Sequence, residues 1–350
     1  MMKMKVCLLG LLCLFTIVGT ADAVSFGSRQ NVGSTSHPAL DEQSGICMSR
    51  NNPHIIWIQE DSGTSGDDYI YAVTTNGTCV GVYAISGFSN ADWEDIAIGP
   101  GPIAGIDYLY IGDIGDNQSD DATQTIARVP EPVVSPTQPL TTNTLYGADI
   151  ITVEYAGGFM MDAESLMVDS SKNIYIVGKR TGSDFSPSAT PRLYLAAYPQ
   201  STSGINTMSL EGTISITGNA MPTGADIAPS GEQILIKIGG NGFFGPEEVW
   251  HWSVGTGESI TDALITSPVK TEATTYSDSG QCEAVGWKHN DGGFYTISEG
   301  ASQPLYFYDN LDVGEYRWLD TATAGNGGIS HSDQWIADGS NLVITATADP

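Results

Sequence analysis

The chain is poor in positive charge. Its 350 residues carry 13 Lys and Arg against 41 Asp and Glu, a formal net charge of −28. Such an acidic excess excludes nucleic acid and anionic membranes as partners, because phosphate binding depends on Lys and Arg. Calcium or a cationic surface is the partner this balance calls for. Cysteine is scarce, with five in all and no CxxC pair, which argues against a zinc site or a disulfide framework. GxSxG and HExxH are missing. So is any long stretch of 3.6-residue apolar period, which removes the helices a parallel α/β sheet needs. The GxGxxG match at Gly240–Gly245 runs into strand-like EEVWHW rather than a helix, so it reads as a loop. Beyond residue 23 no apolar run reaches the roughly 20 residues that span a bilayer.

What is present begins with a targeting signal. Lys3 and Lys5 precede an apolar stretch over 6–19, and Ala21-Asp22-Ala23 has the small-x-small form of a cleavage site. Residues 1–23 read as a signal peptide, and 24–350 as one secreted domain. Cys7 and Cys13 leave with the signal; Cys47, Cys79 and Cys282 stay. Three is odd, so at least one thiol is free or pairs between chains. Export permits a disulfide, and Cys47 and Cys79 are the pair closest in sequence. Asn76 and Asn117 head glycosylation sequons. Asn76-Gly77 also reads as a type I′ turn between two strands.

A β-rich run recurs along the body. Taking Ile55, Tyr108, Ile174, Ile234, Phe294 and Leu342 as equivalent, the spacings are 53, 66, 60, 60 and 48. Each run follows a shorter motif: Ser44-GICM, Glu94-DIAI, Glu164-SLMV, Ala225-DIAP, Glu283-AVGW and Ser332-DQWIA. Two further strands follow each full run. Four strands per unit at this period predict an all-β fold, a six-bladed β-propeller. The last blade is expected to close with N- and C-terminal strands, the mature N-terminus supplying the outer one. That blade looks one strand short, so either it is three-stranded or the chain is truncated.

In a propeller the innermost strand of each blade lines the central channel. Its leading loop and the loop between strands two and three open on the same face. This predicts Glu94, Glu164, Asp226 and Glu283 at one channel mouth, with Glu60, Asp61, Asp113, Asp116, Asn117, Lys179, Arg180, Lys237 and Glu299 on the rim. Carboxylates about 6 Å apart repel by roughly 3 kcal/mol per pair at an effective dielectric near 20. They need protons, basic neighbours or a bound cation, or else they hydrogen-bond neighbouring blades. The oxygen-rich set Glu94, Glu164, Asp226, Glu283 and Asp113 suits Ca2+ before Mg2+. As catalytic candidates the sequence offers Glu164, Glu283, Lys179 and Lys237. A protein or glycan ligand on the channel face is a further expectation.

The motifs DWEDIAIGP (92–100), LYIGDIGDN (109–117), ARVPEP (127–132), MDAESLMVD (161–169), TGADIAP (223–229), GQCEAVGW (280–287) and TISEG (296–300) resemble a family of secreted propeller-like proteins without a settled activity. More distantly the layout is similar to phytase-like and gluconolactonase-like propellers. That likeness implies acidic residues holding Ca2+ at the top of the channel. Two functions are expected from these readings. One is a non-catalytic, calcium-binding extracellular or mineral-associated matrix protein. The other is a Ca2+-dependent hydrolase of phosphate or lactone esters.

Overall fold

The computed structural model describes residues 24–61, 68–179, 191–214, 216, 221–239, 248–265, 269–270, 282–313, 316–319, 327–329, 334–337 and 346–348. Strand β1 (Gln30–Ser34) is followed by β2 (Gln43–Met48), β3 (Ile55–Glu60), β4 (Tyr69–Thr74) and β5 (Cys79–Ile85), which form the first blade in that order from β2 outward. The second blade holds β6 (Trp93–Pro100), β7 (Asp107–Asp113) and β8 (Gln124–Pro130). Next in the chain come β9 (Thr141–Leu145), lying parallel against β5, and β10 (Asp149–Tyr155), the outer strand of blade two. Blade three is β11 (Ala163–Val168), β12 (Ile174–Gly178), β13 (Arg192–Ala196) and β14 (Asn206–Thr213). Blade four is β15 (Met221–Ile227), β16 (Gln233–Gly239), β17 (Glu248–Ser253) and, after the short helix α1 (Ile260–Ile265), β18 (Val269–Lys270). Blade five is β19 (Cys282–Trp287), β20 (Gly293–Ser298) and β21 (Pro304–Asp309), with β1 paired antiparallel to β21 as its outer strand.

Among the described residues the ring closes on five blades, where six were expected. Five buried apolar clusters fill five seams, each between consecutive blades, and the last joins Ala284, Tyr295 and Ile297 of blade five to Ile46, Ile56 and Ile58 of blade one. The N-terminal strand therefore completes the blade of residues 282–309, and among the described residues it pairs with no strand after residue 313. The later strands β22 (Tyr316–Leu319), β23 (Gly327–Ile329), β24 (Gln334–Ala337) and β25 (Ala346–Ala348) pair β22 with β24 and β23 with β25. The run at Leu342 lies outside the described residues. Periodicity overcounted because a strand-like run does not reveal whether its flanks find a neighbouring blade.

Each inner strand is buried on both faces, since a blade lies on either side, and its polar residues are buried with it. The seams are narrow near the axis. A Cβ on Gly45 would lie 2.6 Å from Ile96 N, and one on Gly286 would lie 2.8 Å from Ile46 O. One side chain ties the centre together. The Asp95 carboxylate accepts the N–H of Ile96 (2.8 Å), of Leu166 in blade three (2.8 Å) and of Ala225 in blade four (3.3 Å). Asp226, next to Ala225, accepts Trp287 N–H (2.8 Å), linking blades four and five. Glu131, from the ARVPEP motif, latches blades one and two at the far face by accepting Trp57 Nε1–H (2.8 Å) and Asn52 Nδ2–H (3.1 Å).

Two local expectations change. The hairpin at Asn76-Gly77 exists, but only Gly77 has positive φ (91°), and Gly77 N–H donates to Thr74 O. That is a turn completed by a left-handed glycine and a register shift in the ladder, not type I′, which needs positive φ at both central residues. Asn76 and Asn117 are both exposed on loops. Cys47 and Cys79 are both free thiols. Cys47 sits in β2 and Cys79 in β5, three strands away in one sheet, or roughly 14 Å at the usual strand spacing, far beyond disulfide reach.

Replacing Asp95 with Ala orphans N–H groups in three inner strands. Each buried, unpaired donor costs about 1–3 kcal/mol. The expected loss is about 3 kcal/mol or more of unfolding free energy by urea denaturation, and Asp95→Asn, which keeps an acceptor oxygen, loses less. A loss under about 1 kcal/mol for Asp95→Ala would show that the axis is held by something else.

Candidate functional site: carboxylates at the channel mouth

Every inner strand begins with the same irregularity. Its register against the second strand skips one residue, between Gln43 and Gly45, Trp93 and Asp95, Ala163 and Ser165, Pro222 and Gly224, and Cys282 and Ala284. The extra residues are Ser44, Glu94, Glu164, Thr223 and Glu283. A bulge bends the strand and re-aims one side chain. Here it occurs once per blade at the same height.

Three of the five are glutamates, and they meet. Oxygens of Glu94, Glu164 and Glu283 all lie within 4.8 Å of one another. The residues are only 1%, 3% and 5% exposed, so solvent cannot screen their repulsion. Ser44 Oγ joins them, donating to Glu94 O at 2.6 Å with Glu94 Oε2 at 3.4 Å and Glu283 Oε2 at 3.5 Å. Lys179, one residue past β12, places its ammonium on Glu164 Oε1. Glu164 Oε2 is buried and has no hydrogen-bond partner among the described residues. Glu299 lies beside Glu283 and raises the proton affinity of its carboxyl. A second set, Asp61, Asp92 and Glu94, converges within the same 4.8 Å limit and has Glu94 in common with the first.

Burial, first, pushes all three glutamates well above the ordinary carboxylate range. Their mutual repulsion adds to this, and Lys179 opposes it. Burial alone would lower the Lys179 ammonium, but Glu164, Glu283 and Glu94 overcome it and hold the lysine charged. The arrangement can share protons, or it can exchange them for a cation bound to oxygens alone.

The predicted residues are distributed as follows. Glu94, Glu164, Glu283 and Lys179 are brought together, with Asp61 and Glu299 beside them. Asp226 is not in the set. The motif TGADIAP aligns by its letters with WEDIAI, but the bulge makes Thr223 the counterpart of Glu94, which places Asp226 three residues deeper, bonded to Trp287 N–H. Asp113 supports rather than joins: its Oδ1 accepts Asp92 N–H (2.7 Å). Lys237 is fully buried opposite Gly224, two positions short of Gly239, the counterpart of Lys179. Glu60 caps Asp41 and Glu42 N–H through Oε2. Arg180 lies outside the described residues. Sequence reasoning missed Thr223 and Asp92. The signal for Thr223 was present: in four of the five blades the bulged polar residue is followed by a small one, as in Ser44-Gly45, Glu164-Ser165, Thr223-Gly224 and Glu283-Ala284.

No family model and no curated protein matches the chain. Among solved structures it is similar to the apo form of the soluble aldose sugar dehydrogenase of Escherichia coli, at 11% identity and TM-score 0.41, covering 81% of this chain and 99% of that one. It is also similar to the WD40 domain of Neurospora crassa Pan2, at 9% identity and TM-score 0.39, over 83% and 98%. A glucose dehydrogenase gives 8% identity and TM-score 0.40, over 80% and 99%. At these scores the likenesses carry no argument. The propeller assignment rests on the strand order and seams above, and the family suggested by the motifs stays a resemblance.

Buried carboxyls make stability depend on pH. Burial lifts Asp226 to about 7, and Asp95 and the three glutamates also rise. In the unfolded chain these groups release their protons near pH 4. Between that point and their folded values the native state binds more protons, so stability falls as pH rises. In chelator the melting temperature should decline from about pH 4 to 7. Asp226→Asn should flatten part of the decline. A flat or rising profile by scanning fluorimetry contradicts this.

Proposed function

We propose that the protein is a secreted, acidic β-propeller that binds Ca2+ at the mouth of its central channel. The observation that carries this is the convergence of three buried glutamates from three blades within 4.8 Å, with one orphaned oxygen, Glu164 Oε2. Glu94, Glu164 and Glu283 would hold the ion, with the Ser44 hydroxyl as an available neutral donor. The donors are all oxygen, which suits a hard cation. Ca2+ binds oxygens at about 2.3–2.6 Å and so spans such a set, whereas Mg2+ at about 2.0–2.1 Å demands a tighter, octahedral shell. The expected N-terminal signal and the sequons at Asn76 and Asn117 fit an extracellular setting.

A Ca2+ titration by calorimetry tests the reading. One stoichiometric site is expected, abolished by Glu164→Gln. Many weak sites that vanish with salt would instead leave surface charge as the only calcium binder, the state a matrix or mineral-associated role needs.

One observation favours a second, catalytic reading. The cluster includes Lys179 and the neighbouring carboxyls of Glu283 and Glu299. A bound Ca2+ would polarise a phosphate or lactone ester and make a water more acidic. Glu164 or Glu283 would take the proton, and Lys179 would meet an anionic oxygen. Turnover of such esters should be lost in chelator and in Glu283→Gln by 100-fold or more, roughly what a general base contributes. Stoichiometric Ca2+ binding without turnover of any ester assigns the protein to the non-catalytic role.

A further inference from the structure

The cluster of glutamates already contains a cation, and it is part of the chain. Lys179 N–H donates to Asp162 O at 2.9 Å, which fixes the root of the side chain at the rim of blade three. From there the ammonium reaches Glu164 Oε1, within the field of Glu94 and Glu283 as well. The remaining Glu164 oxygen, Oε2, has no hydrogen-bond partner among the described residues. The lysine side chain is 16% exposed and that of Glu164 is 4%, so the lysine is the member with a path to solvent. Its stem has four methylene carbons and it is rooted one residue past β12, outside the strand.

A divalent ion drawing on all three glutamates would share a few ångströms with this ammonium. Two cations that close, in a site shielded from water, repel strongly. We propose that Lys179 is the resident counter-cation of the site, and that Ca2+ binds by displacing it from Glu164. The proposal rests on reading the cluster as a Ca2+ site. The lysine keeps three buried carboxylates tolerable without the ion, and it weakens the affinity for the ion by the cost of leaving. Displacement also frees a positive charge at the rim each time the site loads, so calcium occupancy and the charge presented to an anionic ligand change together.

Calorimetric Ca2+ titrations of the full chain and its Lys179→Met and Lys179→Arg variants test this. Lys179→Met should bind about tenfold or more tightly, as expected when a competing unit charge is removed, and Lys179→Arg should stay near wild type. In chelator Lys179→Met should melt lower than wild type, and saturating Ca2+ should close the gap. Equal or weaker binding by Lys179→Met, with wild type still binding, overturns the proposal and leaves the Ca2+ site standing. If neither wild type nor Lys179→Met binds, the site reading fails and the proposal with it. Should Lys179→Met not fold, amine acylation of wild type read by mass spectrometry decides: Lys179 labelling should rise several-fold on adding Ca2+, and unchanged labelling overturns the proposal.

Discussion

At the centre of the wheel three blades share one carboxylate. Asp95 takes N–H groups from its own strand, from β11 and from β15, at a point where five inner strands crowd around the axis. The matching position in the other blades is small, namely Gly45, Ser165, Gly224 and Ala284, which leaves room for that one side chain. Burial costs Asp95 solvation and raises its proton affinity, while three donors from the backbone offset the cost. The bond set fixes how β6, β11 and β15 stand relative to one another. The height of every bulge at the mouth depends on that.

The mouth is therefore a consequence of register. Each bulge aims its residue at the hub, and three of the five are glutamates. In an open sheet these acids would be solvated and far apart. In a closed ring they are buried, close and mutually repelling, and the structure answers with the Ser44 hydroxyl and the Lys179 ammonium. The same features that make the cluster costly make it suited to a cation: charge is concentrated, water is excluded, and one oxygen is unsatisfied.

Much of this was legible from residue order. The burial of the second strands shows as apolar runs, as in IIWI and IYIV, and the turn residues mark where strands end. The glutamates of WEDIA, AESLM and CEAVG stand in equivalent places, so their meeting followed once the repeat was seen. Blade four was misread because ADI looks like EDI, although the backbone matches Thr223 to Glu94. A bulge is a property of pairing with the neighbouring strand, and one chain segment read alone does not display it.

The amino-acid order by itself determined the strands, their repeat, the acid excess and the candidacy of Glu94, Glu164 and Glu283, because each of these depends on local pattern and composition. Only the tertiary structure decided that the ring closes on five blades through β1 and β21, that Asp226 is a seam bond rather than a mouth residue, and that Lys179 sits among the glutamates. Those outcomes depend on distances between segments up to about 280 residues apart, set by seam packing and register, which no local pattern encodes.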